Sequence, residues 1–313
     1  MTRRTLLAAM GAAPAFAQQI GPPPHTKGPK VFLDYDQVEL DAAYNQAAYA
    51  PNRTQVQRRH ASNSDLARMR LGQPVRLAYG STEIERLDVY RAKGSGLPIH
   101  IHIHGGAWRG GIAKDSGYLA ELFVTAGVHF VAPDFVWVQN AGGSLNVMAD
   151  QVRRAIAWVR ENAASFGGDR DRLYLSGVSS GAHLAAAALT MLPGGTVHGA
   201  LLVSGMYDLK GPRLSSRNAY VKFDDATEGA LSPQRHIDKI HTPMIVAYAS
   251  LDTPEFQRQS REFAAAVKAA GKPVELIRGE NYNHFEFIET LANPYGQLGR
   301  AALTQMGLSA MTK

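Results

Sequence analysis

Gly177-Val178-Ser179-Ser180-Gly181 separates two segments of opposite character. The apolar run Leu173-Tyr174-Leu175 leads into it, and an alanine-rich helical run from Ala182 to Met191 leads out. A serine between glycines at a strand-to-helix turn reads as a nucleophile elbow, whose strained backbone pushes the hydroxyl clear of the sheet. The glycines let strand and helix pass closely, and the helix N-terminus favours negative charge forming beside the serine oxygen. Strand, turn and helix in this order predict an α/β fold with Ser179 as candidate nucleophile.

Upstream, the β-branched run Pro98 to Ile103 ends in His104-Gly105-Gly106-Ala107-Trp108. Two glycines after a strand let backbone N–H groups converge on one point, and each such donor is worth about 3–4 kcal/mol to a tetrahedral intermediate. Gly105, Gly106 and the residue after the nucleophile, Ser180, are therefore the candidate oxyanion donors.

A serine nucleophile needs a base, and the base needs an orienting acid, in the chain order Ser, Asp/Glu, His. Pro243 to Tyr248 is strand-like, and Asp252 follows just before Thr253-Pro254, which reads as an N-cap and first helical residue. Val274 to Ile277 reads as the last strand, and His284 lies in the loop after it. Asp252 as a plain helix cap, with Glu255 or Asp208 as the acid, remains an alternative at this level.

With these residues in view, the chain resembles the bacterial esterase/arylformamidase branch of the α/β-hydrolase superfamily, which includes kynurenine formamidase. The similarity covers most of the chain after the leader. It includes residues 40 to 46, His104 to Trp108, Phe166-Gly167-Gly168-Asp169, residues 177 to 184, Asp252 with Glu255-Phe256, and Asn283-His284-Phe285. Members commonly carry alanine after the nucleophile where this chain has Ser180. The resemblance implies a mostly parallel central sheet with helices on both faces and an N-terminal helical cap segment.

Composition bounds the same reading. The 313 residues, 45% apolar and 19% charged, suffice for one large core. Net charge is +6, and without Arg3 and Arg4 it is +4, from 31 basic against 27 acidic residues. So small a dispersed excess argues against a nucleic-acid partner. Cysteine is absent, which excludes disulfides and thiolate-bound metal. Thr2 to Leu7 with its paired arginines resembles a twin-arginine export signal, and Ala15-Phe16-Ala17 offers a cleavage site, with a Sec route as the alternative. The expected product is periplasmic or secreted, and the leader is too short for a stable membrane anchor.

The expected organisation is a leader over 1–17, a Pro/Gly-rich tether over 18–30 and one catalytic domain over 31–313. Within that domain, 31–70 carries two helical patterns broken at Pro51, and 207–238 is an insertion near the cleft. Val75 to Tyr79 and Ile84 to Tyr90 read as antiparallel strands, Val128 to Pro133 and Val197 to Val203 as further strands. Met148, Val152, Ile156 and Val159 mark one helix face.

His100, His102 and His104 alternate on one strand and so share a face. That face should meet covering helices, so they read as structural, and no metal or other cofactor is expected. Among the aromatics near the motifs, Trp108, Phe135, Trp137, Tyr207, Tyr282 and Phe285, the assigned pocket residues are Trp108, Phe285 and Tyr207. The expected activity is hydrolysis of a small-molecule carboxylic ester, with an arylformamidase acting on N-formyl aromatic amines as the alternative. A non-catalytic binding protein on this fold is disfavoured, because every catalytic position is filled. Oligomeric state is not legible.

Overall fold

The computed structural model describes residues 20–308; the leader and its cleavage site lie outside the described residues. Eight strands form one sheet: β1 (Val75–Ala78), β2 (Arg86–Tyr90), β3 (Leu97–Ile103), β4 (His129–Pro133), β5 (Gly168–Val178), β6 (Gly199–Val203), β7 (Met244–Ala249) and β8 (Val274–Gly279). Their order is β1-β2-β4-β3-β5-β6-β7-β8. β2 runs antiparallel to both β1 and β4, and every other pairing is parallel.

The helices are α1 (Gln37–Ala43), α2 (Arg53–Leu71), α3 (Ala120–Thr125), α4 (Leu145–Asn162), α5 (Ser180–Met191), α6 (Lys210–Leu214), α7 (Asp225–Ala230), α8 (Pro254–Ala269) and α9 (Gln297–Gln305). The central strands are buried on both faces, as parallel strands between helical layers are. Ile99, Ile101 and Ile103 of β3 join a core with α4, α5 and α8, whereas Phe130 and Ala132 of β4 join a second core with α3 and α9. On α4, Met148, Val152, Ile156 and Val159 are all fully buried. α5 stops just before Pro193, whose missing N–H and restricted predecessor cannot continue a helix.

The N-terminal segment breaks at Pro51, between a 3-10 turn (Gln46–Ala48) and α2. α2 has little apolar stripe and is anchored by polar side chains. Ser64 Oγ donates to Asp115 O (2.9 Å) and Arg68 Nη1 to Lys114 O (2.7 Å). Thr253 precedes α8, with Pro254 in its first turn, but its hydroxyl does not cap the helix. It donates instead to Ala43 O (2.5 Å) and ties α1 to the start of α8.

The histidines of β3 face the second core. His100 Nε2 and His102 Nδ1 share Ser176 Oγ of β5 (2.7 and 2.8 Å), and His100 stacks on Phe123 at 3.9 Å. One hydroxyl can donate to one imidazole and accept from the other only while the accepting ring nitrogen is unprotonated. Burial drives the His100 pKa well below its ordinary value, that of His102 to about 3 and that of His183 on α5 to about 4. The folded values lie below the unfolded one, so stability is complete above about pH 6.5 and is lost as pH falls toward the folded values. The melting temperature is therefore expected to drop steeply between pH 7.5 and pH 5, at a cost on the order of 2 kcal/mol per buried imidazole at pH 5. A flat calorimetric profile across that range would contradict the assignment.

Candidate active site

Ser179 joins β5 to α5 with φ 58° and ψ −127°, a backbone region that costs a side-chain-bearing residue about 1–3 kcal/mol. Close packing enforces it. A Cβ on Gly177 would lie 2.6 Å from Gly181 O, and one on Gly181 would lie 2.2 Å from Ile103 O. Only glycine lets β3, β5 and α5 meet at these separations. The Ser179 N–H donates to Val203 O (2.8 Å), which pins the turn to β6.

The loop after β3 folds against this turn. A Cβ on Gly105 would approach Val178 O to 2.9 Å, and Gly106 takes φ +127°, with Gly110 O where a side chain would begin. The N–H groups of Gly105, Gly106 and Ser180 donate to no acceptor among the described residues. Three open donors beside one strained serine form a place for developing negative charge.

Asp252 and His284 come together although 32 residues separate them. His284 Nδ1 lies 2.7 Å from Asp252 Oδ1. Ser204 Oγ (2.6 Å) and Ala249 N (2.9 Å) donate to the other carboxylate oxygen, so Asp252 is fully partnered and buried. With Nδ1–H donating to Asp252, Nε2 of His284 is left as the acceptor nitrogen. The edges of Phe256 and Phe285 flank its ring at 5.3 and 5.1 Å between centroids. The His284 loop is braced by the N-terminal segment through Asn283 Nδ2 to Asn52 Oδ1 (2.8 Å) and Asn52 Nδ2 to Glu286 Oε1 (2.6 Å).

The alternative acids are occupied elsewhere. Glu255 is fully buried, accepts from Tyr44 Oη (2.8 Å) and binds Arg258 through both carboxylate oxygens (2.8 and 2.7 Å). Asp208 pairs with Arg235 (3.0 Å).

Ser179, Gly105, Gly106, His284 and Phe285 line one cleft of about 1000 Å³. Further walls come from the N-terminal segment (Tyr44, Arg53, His60), from the stretch after β3 (Arg109, Tyr118) and from residues 207–238 (Arg217, Tyr220). Two sequence expectations about the pocket fail. Trp108 does not line the cleft, because positive φ at Ala107 (55°) and Trp108 (64°) turns its ring inward. There its Nε1 donates to His183 Nδ1 (3.1 Å). Tyr207 is completely buried and stacked on Phe263 at 4.2 Å. Of the six aromatics, Phe285 alone reaches the cleft; Tyr44 of the 40–46 segment lines it instead, with Tyr118 and Tyr220, which lie in no motif.

Known proteins resemble this chain in sequence and in fold. The BD-FAE family model matches residues 87–194 and the prolyl oligopeptidase family model residues 141–295. Kynurenine formamidase of Danio rerio is 32% identical over 292 residues, spanning 87% of this chain and 97% of that protein. The chain belongs to the esterase/arylformamidase branch of the α/β-hydrolases. By class this hydrolase is a carboxylic ester hydrolase. The esterase LipQ of Mycobacterium tuberculosis is 32% identical over 213 residues, covering 59% of this chain and 50% of that one. The fold is shared with an esterase of Thermogutta terrifontis at a TM-score of 0.64 and 23% identity, covering 76% of this chain and 94% of that one.

Because Glu255 serves a buried ion pair rather than His284, Glu255→Gln is expected to lower the melting temperature by several degrees. It should leave kcat within about threefold. Paired thermal melts and steady-state kinetics check this, and a crippled kcat with an unchanged melt would reverse the assignment.

Proposed function

We propose that this hydrolase cleaves small carboxylic esters, aryl esters among them, through an acyl-enzyme formed on Ser179. His284 Nε2 accepts the Ser179 proton as the hydroxyl attacks the carbonyl carbon, and returns it to the departing alcohol. Water then attacks the acyl-enzyme with His284 again as base, releasing the acid and restoring Ser179. Asp252 holds the imidazole in its tautomer, and the N–H groups of Gly105, Gly106 and Ser180 stabilise the oxyanion. The observation that carries this reading is the Asp252–His284 hydrogen bond of 2.7 Å at the wall of the cleft that Ser179 lines.

A second reading, hydrolysis of N-formyl aromatic amines, is favoured by the near-complete overlap with a kynurenine formamidase. The formyl group is the smallest acyl group, and the same machinery would carry it. We also propose that the enzyme acts in the periplasm or outside the cell. The support is the paired Arg3-Arg4 and the Ala15-Phe16-Ala17 cleavage pattern. No helix among the described residues is long and apolar enough to cross a membrane.

The test is kcat/KM of the purified protein on p-nitrophenyl esters of graded acyl length, a feruloyl ester and N-formylkynurenine. Ester turnover above formamide turnover supports the first reading, and the reverse order supports the second. Asp252→Asn is expected to lower kcat on the preferred substrate by about 10⁴-fold with little change in KM. An Asp252→Asn enzyme within tenfold of the wild type would remove Asp252 from the mechanism.

A further inference from the structure

Arg217 sits in the 3-10 turn Ser216–Ala219 between α6 and α7, is 5% exposed, and lines the cleft that Ser179 lines. Among the described residues no carboxylate pairs with it. Nη2 donates to Tyr44 O (3.0 Å) and Nη1 to Tyr220 Oη (3.3 Å), while the buried Nε has no partner. The rings of Trp108, Phe256 and Tyr44 surround the guanidinium at 5.1, 5.9 and 6.0 Å to their centroids.

A guanidinium removed from water without a counter-ion is costly, which is why buried charges are normally paired. Desolvation accordingly draws the Arg217 pKa below its ordinary value. Aromatic faces and two neutral acceptors offset part of that cost, but three of the five N–H donors remain free. Asp41 and Asp115 also line the cleft, but neither pairs with Arg217, and Asp41 Oδ1 accepts from Ser216 N (2.6 Å). Arg109 lies over the ring of Tyr220 at 4.6 Å, and it too has no carboxylate partner among the described residues, nor does Arg53, the third arginine of the cleft. Elsewhere the arginines commonly pair: Arg59 with Glu289, Arg70 with Glu121, Arg258 with Glu255.

We propose that Arg217, with Arg109 beside it, is an anion subsite that selects esters or N-formyl amines bearing a second, unreactive carboxylate. The planar fork of Arg217 matches a carboxylate in a way that a neutral group of the same shape does not. Binding would supply the missing counter-ion and anchor the substrate at a point away from the scissile bond. The proposal rests on the hydrolase reading above for the chemistry at Ser179, but not for the binding of the anion itself.

Two measurements separate the subsite from the chemistry. In kinetics, para-carboxyphenyl acetate is compared with para-carbamoylphenyl acetate, and the p-nitrophenyl half-ester of terephthalic acid with its half-amide. The charge then falls on the leaving group in one pair and on the acyl group in the other. At least one pair should favour the carboxylate by about tenfold or more in kcat/KM, and Arg217→Gln should collapse that ratio toward one. Arg217→Lys should retain part of it. A merely structural Arg217 would change both members of a pair alike. In calorimetry, which needs no turnover, wild-type protein should bind benzoate and not benzamide, and should lose benzoate binding in Arg217→Gln. Ratios near one in both pairs, together with no benzoate binding by the wild type, would overturn the subsite and leave the hydrolase intact. Benzoate binding through Arg217 with no turnover of any ester or formamide would keep the subsite and sink the proposed reaction. Benzoate binding without a charged-substrate preference would overturn the substrate assignment, leaving a site that holds a free acid.

Discussion

The crossing of three backbones at Gly177, Ser179 and Gly181 is the constraint on which everything else depends. With Gly181 pressed against the end of β3, neither flanking position has room for a Cβ, and the chain turns through a conformation that Ser179 tolerates only because β6 holds its N–H. The same contact brings the loop after β3 against Ser179, so the strained hydroxyl and the open N–H groups are assembled by one packing event. The cost of a strained serine, about 1–3 kcal/mol, is small beside the burial that the two cores supply on either side of the sheet.

Around this fixed centre, the parts that define the cleft are held by polar contacts. The N-terminal segment reaches across to α8 through Tyr44 Oη on Glu255, Thr253 Oγ1 on Ala43 O and Gln259 Nε2 on Tyr44 Oη (2.8 Å). It reaches the His284 loop through Asn52 and Asn283, and residues 207–238 through Arg217 on Tyr44 O. The wall facing Ser179 and the support behind Asp252 are thus one connected network. Substrate shape and the orientation of the imidazole are consequently coupled through the N-terminal segment.

Much of the scaffold was legible because its signals are local. Apolar runs bounded by glycine, proline and polar turns marked the strands, and the four-four-three spacing on α4 marked a helix. The β3 histidines read as structural because a parallel strand has a helical layer on each face, and they do meet Phe123 and Phe130. The pocket walls were not legible in the same way. Trp108 adjoins the oxyanion glycines in sequence, yet two consecutive positive φ values carry its indole under α5 to a neutral His183, a reversal that composition does not announce. Tyr207 begins a polar stretch but belongs to the α8 core. Arg217 gave no signal, since an arginine among serines and asparagine reads as solvated. What makes it distinctive is that no carboxylate among the described residues pairs with it, a property of the fold and not of its neighbours in the chain.

The central claim, that the strained serine of the β5–α5 turn is the nucleophile, is tested most directly by a fluorophosphonate probe followed by peptide mass mapping. One probe mass is expected on Ser179, none on Ser180, and none anywhere in Ser179→Ala protein that still melts as the wild type does. Labelling on Ser180, or labelling that survives in Ser179→Ala, would contradict the account.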